Sequence, residues 1–138
     1  DLTDGRILEL KQLWRKLYGL YQSEQNPILA AGTIGEGGLF VKLFEMCYGA
    51  GLGAELDLGA LPEGRLDGKL LSEAVGAILV ELPLEVDPAS VFGSFPWQVI
   101  GRTLEQPVIR LQSGAEELAL PMAELVSVWE STFKEMIL

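Results

Sequence analysis

A glycine-rich turn between an apolar run and an apolar helical segment is the feature that most restricts the fold of this chain. Residues 28–31 are predicted to form a short buried strand, and residues 32–38 (GTIGEGG) a tight turn. A helix follows from Leu39, with Gly49 and Gly51 at its end. Only Lys42 and Glu45 are charged in it, which predicts burial on several sides. One short segment therefore predicts both a strand and a buried helix.

Apolar spacing along the rest of the chain predicts further helices and strands in alternation. The first predicted element is a helix over residues 7–21, with Asp4 available as its cap. After the glycine turn and its helix come a strand over 54–58, a short helix over 67–73, a strand over 75–82, a short helix over 88–92 capped by Asp87, and strands over 97–104 and 108–112 joined by 105–107. Pro121 opens a final helix with apolar positions Leu125, Val128, Trp129, Phe133, Met136 and Ile137. Trp14, Trp97 and Trp129 are predicted core residues. This order predicts the α+β class, with helices packed on a mixed β-sheet that contains hairpins. The length of 138 residues predicts a single domain over 1–138.

Composition excludes several classes of function. The chain has no histidine, which removes Ser-His and Cys-His nucleophile pairs, and its one cysteine, Cys47, cannot form an internal disulfide. The net charge of −10 disfavours binding to nucleic acid, because a polyanion would be repelled. The sequence contains no run of about 18 apolar residues, which is the length that would predict a membrane span. We expect a cytoplasmic protein without nucleic-acid or membrane partners.

The glycine-rich turn is also a candidate anion site. The first N–H groups of a helix lack intrahelical partners, the helix dipole is positive there, and glycines let a phosphate approach the backbone. The pattern is neither a P-loop nor a dinucleotide-binding GxGxxG motif, and Glu36 opposes phosphate unless a metal ion bridges the charges. The alternative interpretation is a tight turn whose glycines only supply positive φ angles.

Other candidates are weaker. Glu55 and Asp57, two apart on one strand face, can be Mg²⁺ ligands or ordinary solvated carboxylates. Cys47 lies in an apolar helix, which favours a buried hydrophobe over a nucleophile. Arg102 and Arg110, on adjacent predicted strands, can meet an anionic ligand or pair across strands with Glu105 or Glu117.

Four segments in order resemble the C-terminal domain of the phosphoribosylformylglycinamidine synthase family. They are AAGTIGEGGLFVKLFEMCYGAGLGAELDL, LLSEAVGAILVEL, VIGRTLEQPVIRL, which resembles a strand hairpin of the family, and PMAELVSVWESTFKEMI. The resemblance covers residues 5–138. It implies an α+β fold like that of the C-terminal domain of aminoimidazole ribonucleotide synthase.

The resemblance also implies a function. The full-length enzyme would use ATP, Mg²⁺ and glutamine to convert formylglycinamide ribonucleotide to its amidine in purine biosynthesis. Its partners would be N-terminal ATP-binding domains of the same chain and a glutaminase domain or subunit. The start at Asp1 rather than Met suggests a fragment, and by the resemblance it would be the C-terminal part of that synthase. No catalytic residue is expected in these 138 residues, so the fragment alone should be inactive.

The family's glycine loop carries over onto Gly35, Gly37 and Gly38, with Thr33, as a phosphate- or nucleotide-binding segment. The family pattern His-Asp-x-Ser-Asp is replaced here by residues 32–36, so Glu36 is the one carboxylate of that motif that carries over as a candidate metal ligand. Two alternatives stay open: a non-catalytic scaffold or interaction domain with a degenerate nucleotide site, and a part of another ATP-using relative.

Overall fold

The computed structural model describes residues 4–136, without the side chains of residues 4, 132, 133, 135 and 136. The elements, in chain order, are α1 (Asp4–Gln22), β1 (Ala30–Thr33), α2 (Gly38–Ala50), β2 (Gly53–Asp57), α3 (Leu66–Leu71), β3 (Ile78–Glu81), α4 (Pro88–Phe92), β4 (Gly101–Leu104), β5 (Val108–Ser113), β6 (Glu116–Pro121) and α5 (Met122–Met136). The predicted cap Asp4 and the predicted apolar positions Phe133, Met136 and Ile137 lie outside the described side chains. Between residues 4 and 136, none of the helices is both long and apolar enough to cross a membrane.

One compact unit consists of residues 1–33 and 76–97, and it contains α1, β1, β3 and α4. β1 and β3 pair antiparallel, with Gly32 opposite Leu79. Leu17 of α1 and Val91 of α4 are its buried apolar side chains. Asp87 caps α4 as predicted, because its Oδ1 accepts the N–H of Ala89 at 3.0 Å.

The second compact unit consists of residues 34–75 and 98–138 and holds a four-stranded sheet in the order β4-β2-β5-β6. β2 runs parallel to β5, whereas the β2–β4 and β5–β6 pairs are antiparallel. Alternation along the central strands buries Ala54 and Leu56 of β2 with Ile109 and Leu111 of β5. The α+β class with helices and a mixed sheet is therefore confirmed.

The core of this second unit includes α2, which buries Leu39, Phe44 and Cys47. The Phe44 ring packs against the Trp129 ring of α5, with 5.4 Å between the two ring centroids. Only part of α2 is buried, since Glu45 and Tyr48 are exposed. The predicted burial on several sides holds for the first half of the helix better than for the last turn.

The predicted hairpin of residues 97–104 and 108–112 is wrong. β4 and β5 are not neighbours, because β2 lies between them and pairs with both. A link over residues 105–107 can make this crossing, because it reaches about 13 Å while two strand spacings are about 9.6 Å. Period-two alternation reports which face a residue occupies and carries no information about the neighbouring strand.

The last strand, β6, has no counterpart in the sequence prediction. Pro121, predicted to open the final helix, ends β6 opposite Val108, and α5 begins one residue later. Proline is tolerated there because β6 is an edge strand, where one side of the backbone needs no partner. Apolar and acidic residues do not alternate in the EELALP segment of β6, so the strand pattern is weak.

Several predicted strands are displaced or shortened. β1 begins at Ala30 and extends through Gly32 and Thr33, which were expected in the turn. β3 covers only residues 78–81 of the predicted 75–82, and β4 only 101–104 of the predicted 97–104. Apolar residues continue past the ends of both strands, so hydropathy alone overestimates their length.

Candidate functional site

The glycine loop of residues 34–38 forms a tight turn that leads into α2. The N–H of Gly38 donates to the carbonyl of Gly35 at 3.0 Å. Gly37 has φ 79° and ψ 0°, the angles of the third residue in a type II turn. No side chain caps the start of α2. The predicted turn is thus present, and one of its backbone donors is already used inside it.

Gly38 is buried against another helix. A Cβ atom at this position would lie 2.5 Å from the carbonyl carbon of Leu71 and 2.6 Å from the carbonyl oxygen of Leu70, and the φ angle is +69°. At Gly37 a Cβ atom would clash with Cγ2 of Val41, and the φ angle is +79°. Both glycines are therefore required by local geometry, whatever the loop binds.

Gly35 differs from these two glycines. It is exposed, its φ is not positive, and a Cβ atom there would meet nothing within 4 Å. Glu36 beside it is also exposed. The turn thus brings Gly35, Glu36 and Gly37 together on an accessible loop, whereas Thr33 is the last residue of β1 in the other compact unit.

The residues that the structure describes do not fit a magnesium site. Among the described residues, no three acidic or cysteine side chains come close enough together to hold a metal ion. Mg²⁺ needs near-octahedral oxygen ligands, and the single exposed carboxylate of Glu36 supplies too few. Glu55 and Asp57 have other partners: Glu55 pairs with Arg102 at 3.1 Å, and Asp57 accepts the N–H of Gly59 at 2.8 Å.

An apolar cleft of about 330 Å³ lies in the unit formed by residues 1–33 and 76–97. Its walls come from α1, β1, β3 and the segment before β1: Trp14, Leu17, Tyr18, Tyr21, Gln22, Ile28, Ala31, Gly32, Thr33 and Ile78. The volume is at the lower end of the range of small-molecule sites. Thr33 is the one predicted site residue that lines it.

Sequence reasoning missed this cleft because the tryptophans were assigned to the core. Trp14 is 48% exposed, Trp97 43% and Trp129 38%, so that prediction is wrong. The signal was present in the sequence, since Trp14, Tyr18 and Tyr21 follow each other at four- and three-residue spacing on one side of α1. The predicted helix over residues 7–21 was expected to bury Trp14 in the core, and Tyr18 was given no role.

The family comparison identifies the domain type. The family described as AIR synthase related protein, C-terminal domain, matches residues 3–114. The phosphoribosylformylglycinamidine synthase subunit PurL of Thermoplasma volcanium is 34% identical over 105 residues, which are 75% of this chain and 14% of that protein. The protein of the same name from Lactobacillus delbrueckii subsp. bulgaricus is 32% identical over 133 residues, which are 94% of this chain and 17% of that protein.

A solved structure shows the same fold. T. maritima PurL complexed with ATP superposes with a TM-score of 0.67 and 20% identity, covering 83% of this chain and 21% of that chain. The chain spans 14% and 17% of the two curated relatives' lengths. Because the family match includes the glycine loop and runs through β5, this chain belongs to the AIR synthase related protein C-terminal domain family.

Proposed function

We propose that the chain serves as the C-terminal domain of a phosphoribosylformylglycinamidine synthase of the PurL type. The whole protein would be a cytoplasmic ATP-dependent carbon–nitrogen ligase that converts formylglycinamide ribonucleotide to the amidine with ammonia from glutamine. The observation that carries the proposal is the identity to PurL subunits over most of the chain. Its partners would be ATP-binding domains of the same polypeptide and a glutaminase domain or subunit. These 138 residues alone would not catalyse the reaction.

The glycine loop would contribute backbone N–H groups toward a phosphate. Gly35 and Gly37 are exposed, and a helix of 13 residues with no side-chain cap follows. Helix N-termini favour anions through their dipole and unpaired N–H groups. Any Mg²⁺ that accompanies ATP would take its ligands from other parts of the enzyme, since the residues described here do not supply them.

A chimera tests the function of the whole protein. The matching segment of the Lactobacillus delbrueckii PurL would be replaced by this chain, and amidine formation would be measured with ATP, formylglycinamide ribonucleotide and ammonia. We expect activity above that of the same PurL without the segment. A chimera that melts cooperatively, like the unmodified PurL, and shows no turnover would contradict the proposal.

A separate experiment tests the phosphate role of the loop. Calorimetric titration with ATP and with inorganic phosphate would compare the wild-type chain with Gly35→Val. The new side chain enters open space, so the melting temperature should stay unchanged while binding weakens about tenfold. Equal binding by both proteins would remove the phosphate role without affecting the family assignment.

A scaffold role is the second candidate function. Gly38 is buried against the backbone of α3, so the loop has a packing function that needs no ligand. Absence of heat with ATP, phosphate and formylglycinamide ribonucleotide, together with an active chimera, would favour the scaffold.

A further inference from the structure

An exposed stripe of apolar side chains runs along α1. This α1 stripe consists of Ile7, Trp14, Tyr18 and Tyr21. Tyr18 is 68% exposed and Tyr21 is 70% exposed. Their spacing of seven, four and three residues places them on one side of the helix. Trp14, Tyr18 and Tyr21 also line the cleft of about 330 Å³. A contiguous apolar surface over a cleft is typical of an interaction site.

The cations of the chain are distributed unequally. Five of the ten basic side chains form ion pairs: Lys42, Arg65, Arg102, Arg110 and Lys134. Lys69 donates to the carbonyl of Leu58, and Lys16 lies over the Phe95 ring. The other three are Arg6, Lys11 and Arg15, and none of them pairs with a carboxylate among the side chains that the structure describes. All three are exposed on α1, in a chain with twice as many acidic as basic residues.

Two of these cations adjoin the α1 stripe. Lys11 is three residues before Trp14, and Arg15 is three residues before Tyr18, so each cation lies about one helical turn from an aromatic residue. Lys11 and Arg15 are also one helical turn apart and form a basic row beside the stripe. An apolar surface next to a basic row is complementary to a ligand with an apolar group and negative charge.

We propose that the α1 stripe, its cleft and its basic row form a docking surface for an acidic segment of a separate polypeptide. One aromatic or aliphatic side chain of the segment inserts into the cleft between α1 and the β1–β3 pair. Its Asp or Glu residues pair with Lys11 and Arg15. The proposal does not depend on the ligase function, because it rests only on residues of this unit.

A polypeptide fits these features better than a nucleic acid. A nucleic acid presents one phosphate per nucleotide, and its affinity grows with the number of phosphates that cations neutralise. Here the basic row consists of two cations, Lys11 and Arg15, within a chain of net charge −10. A short acidic segment needs only two ion pairs with this surface. Trp, Tyr and Arg, which are all present here, are residue types enriched in protein interfaces.

The test is a selection from a displayed library of random peptides, each about twelve residues long, against the whole chain. The most enriched peptide would be synthesised and its affinity measured with three proteins. They are the wild type, the double variant Lys11→Glu and Arg15→Glu, and a control with the same charge change, Arg65→Glu and Lys134→Glu. The control cations are exposed and lie in the other unit, and melting curves establish that all three proteins fold.

We expect enriched peptides with net negative charge around one apolar residue. The Lys11 and Arg15 double variant should bind about tenfold more weakly or worse, and the control within about twofold of the wild type. A fourth protein, with Tyr18→Ser at an exposed position, should also bind about tenfold more weakly. Absence of enrichment, peptides without negative charge, or equal affinity for both double variants would overturn the proposal. Tighter binding of a single-stranded oligonucleotide at the same surface would also overturn it, in favour of a nucleic acid.

Discussion

Gly35, Gly37 and Gly38 are equivalent in the sequence and different in the structure. Gly38 touches the backbone of α3 and Gly37 touches Val41, whereas nothing approaches the position of a Gly35 side chain. A glycine that supplies a positive φ and one that leaves space for a ligand have the same one-letter code. Backbone angles and neighbouring atoms separate the two roles, and neither follows from local sequence.

Replacing Gly38 by alanine should destabilise the protein strongly. The new methyl group would clash with the backbone of Leu70 and Leu71, and the φ of +69° is unfavourable for alanine. We expect the free energy of unfolding, measured by urea titration, to fall by about 2 kcal/mol or more. The matched control is Gly35→Ala, which should change it by less than about 0.5 kcal/mol. Equal effects of the two substitutions would show that Gly38 is not a packing residue.

A ladder of charged side chains crosses the exposed face of the four-stranded sheet. Arg102 of β4 pairs with Glu55 of β2 at 3.1 Å, and Arg110 of β5 pairs with Glu117 of β6 at 2.7 Å. Cross-strand pairing with Glu105 or Glu117 was one of two alternatives for these arginines, beside contact with an anionic ligand. Arg110 pairs with Glu117, whereas the partner of Arg102 is Glu55, because β2 lies between β4 and β5.

The substitution Glu55→Gln should cost little stability. Glu55 is half-buried but its partner Arg102 is exposed, and pairs with that degree of solvent contact contribute about 0.2–1 kcal/mol. We expect a loss in that range in low salt and a smaller loss in about 1 M NaCl, where charges are screened. The control is Glu63→Gln, in an exposed loop and outside the ion pairs of the described residues. A loss that is independent of salt would assign the effect to packing rather than to charge.

At the scale of elements, sequence periodicity identified almost all helices and strands. The order is correct from α1 to β5, and Asp87 caps α4 as expected. Strand adjacency and β6 were not predictable. Adjacency depends on contacts between residues far apart in sequence, and an edge strand with one partner needs no regular apolar pattern.

At the scale of the whole chain, two central strands contribute the most deeply buried side chains. Ile109 of β5 is 0% exposed and Leu56 of β2 is 2% exposed. Both lie in the unit of residues 34–75 and 98–138, where parallel pairing of β2 with β5 joins segments that are more than fifty residues apart. The stability of this unit therefore depends on a long-range contact.

Truncating Ile109 should test that dependence. Ile109→Ala should lower the free energy of unfolding by about 2–5 kcal/mol and Ile109→Val by about 0.5–1.5 kcal/mol, since a cavity adds to the lost burial. Urea titration followed by circular dichroism measures both. The control is Val99→Ala, at an exposed position, with an expected change below about 0.5 kcal/mol. A small effect of Ile109→Ala would indicate that this strand is not central to stability.

The amino-acid sequence by itself determined the α+β class, the order of most elements, the glycine turn before α2 and the family. These features depend on local periodicity, turn chemistry and ordered motifs, which are readable along the chain. The prediction of one domain over 1–138 remains a prediction, beside the two compact units observed.

Only the tertiary structure decided which strands are neighbours, which glycines are buried and which aromatic residues are exposed. Trp14 satisfies an amphipathic pattern in the sequence, yet it lines an open cleft. Periodicity tells which residues share a side of a helix, and burial of that side depends on what other elements cover it. Along α1 the apolar side is wider than the surface that the rest of its unit covers, and the excess is the α1 stripe.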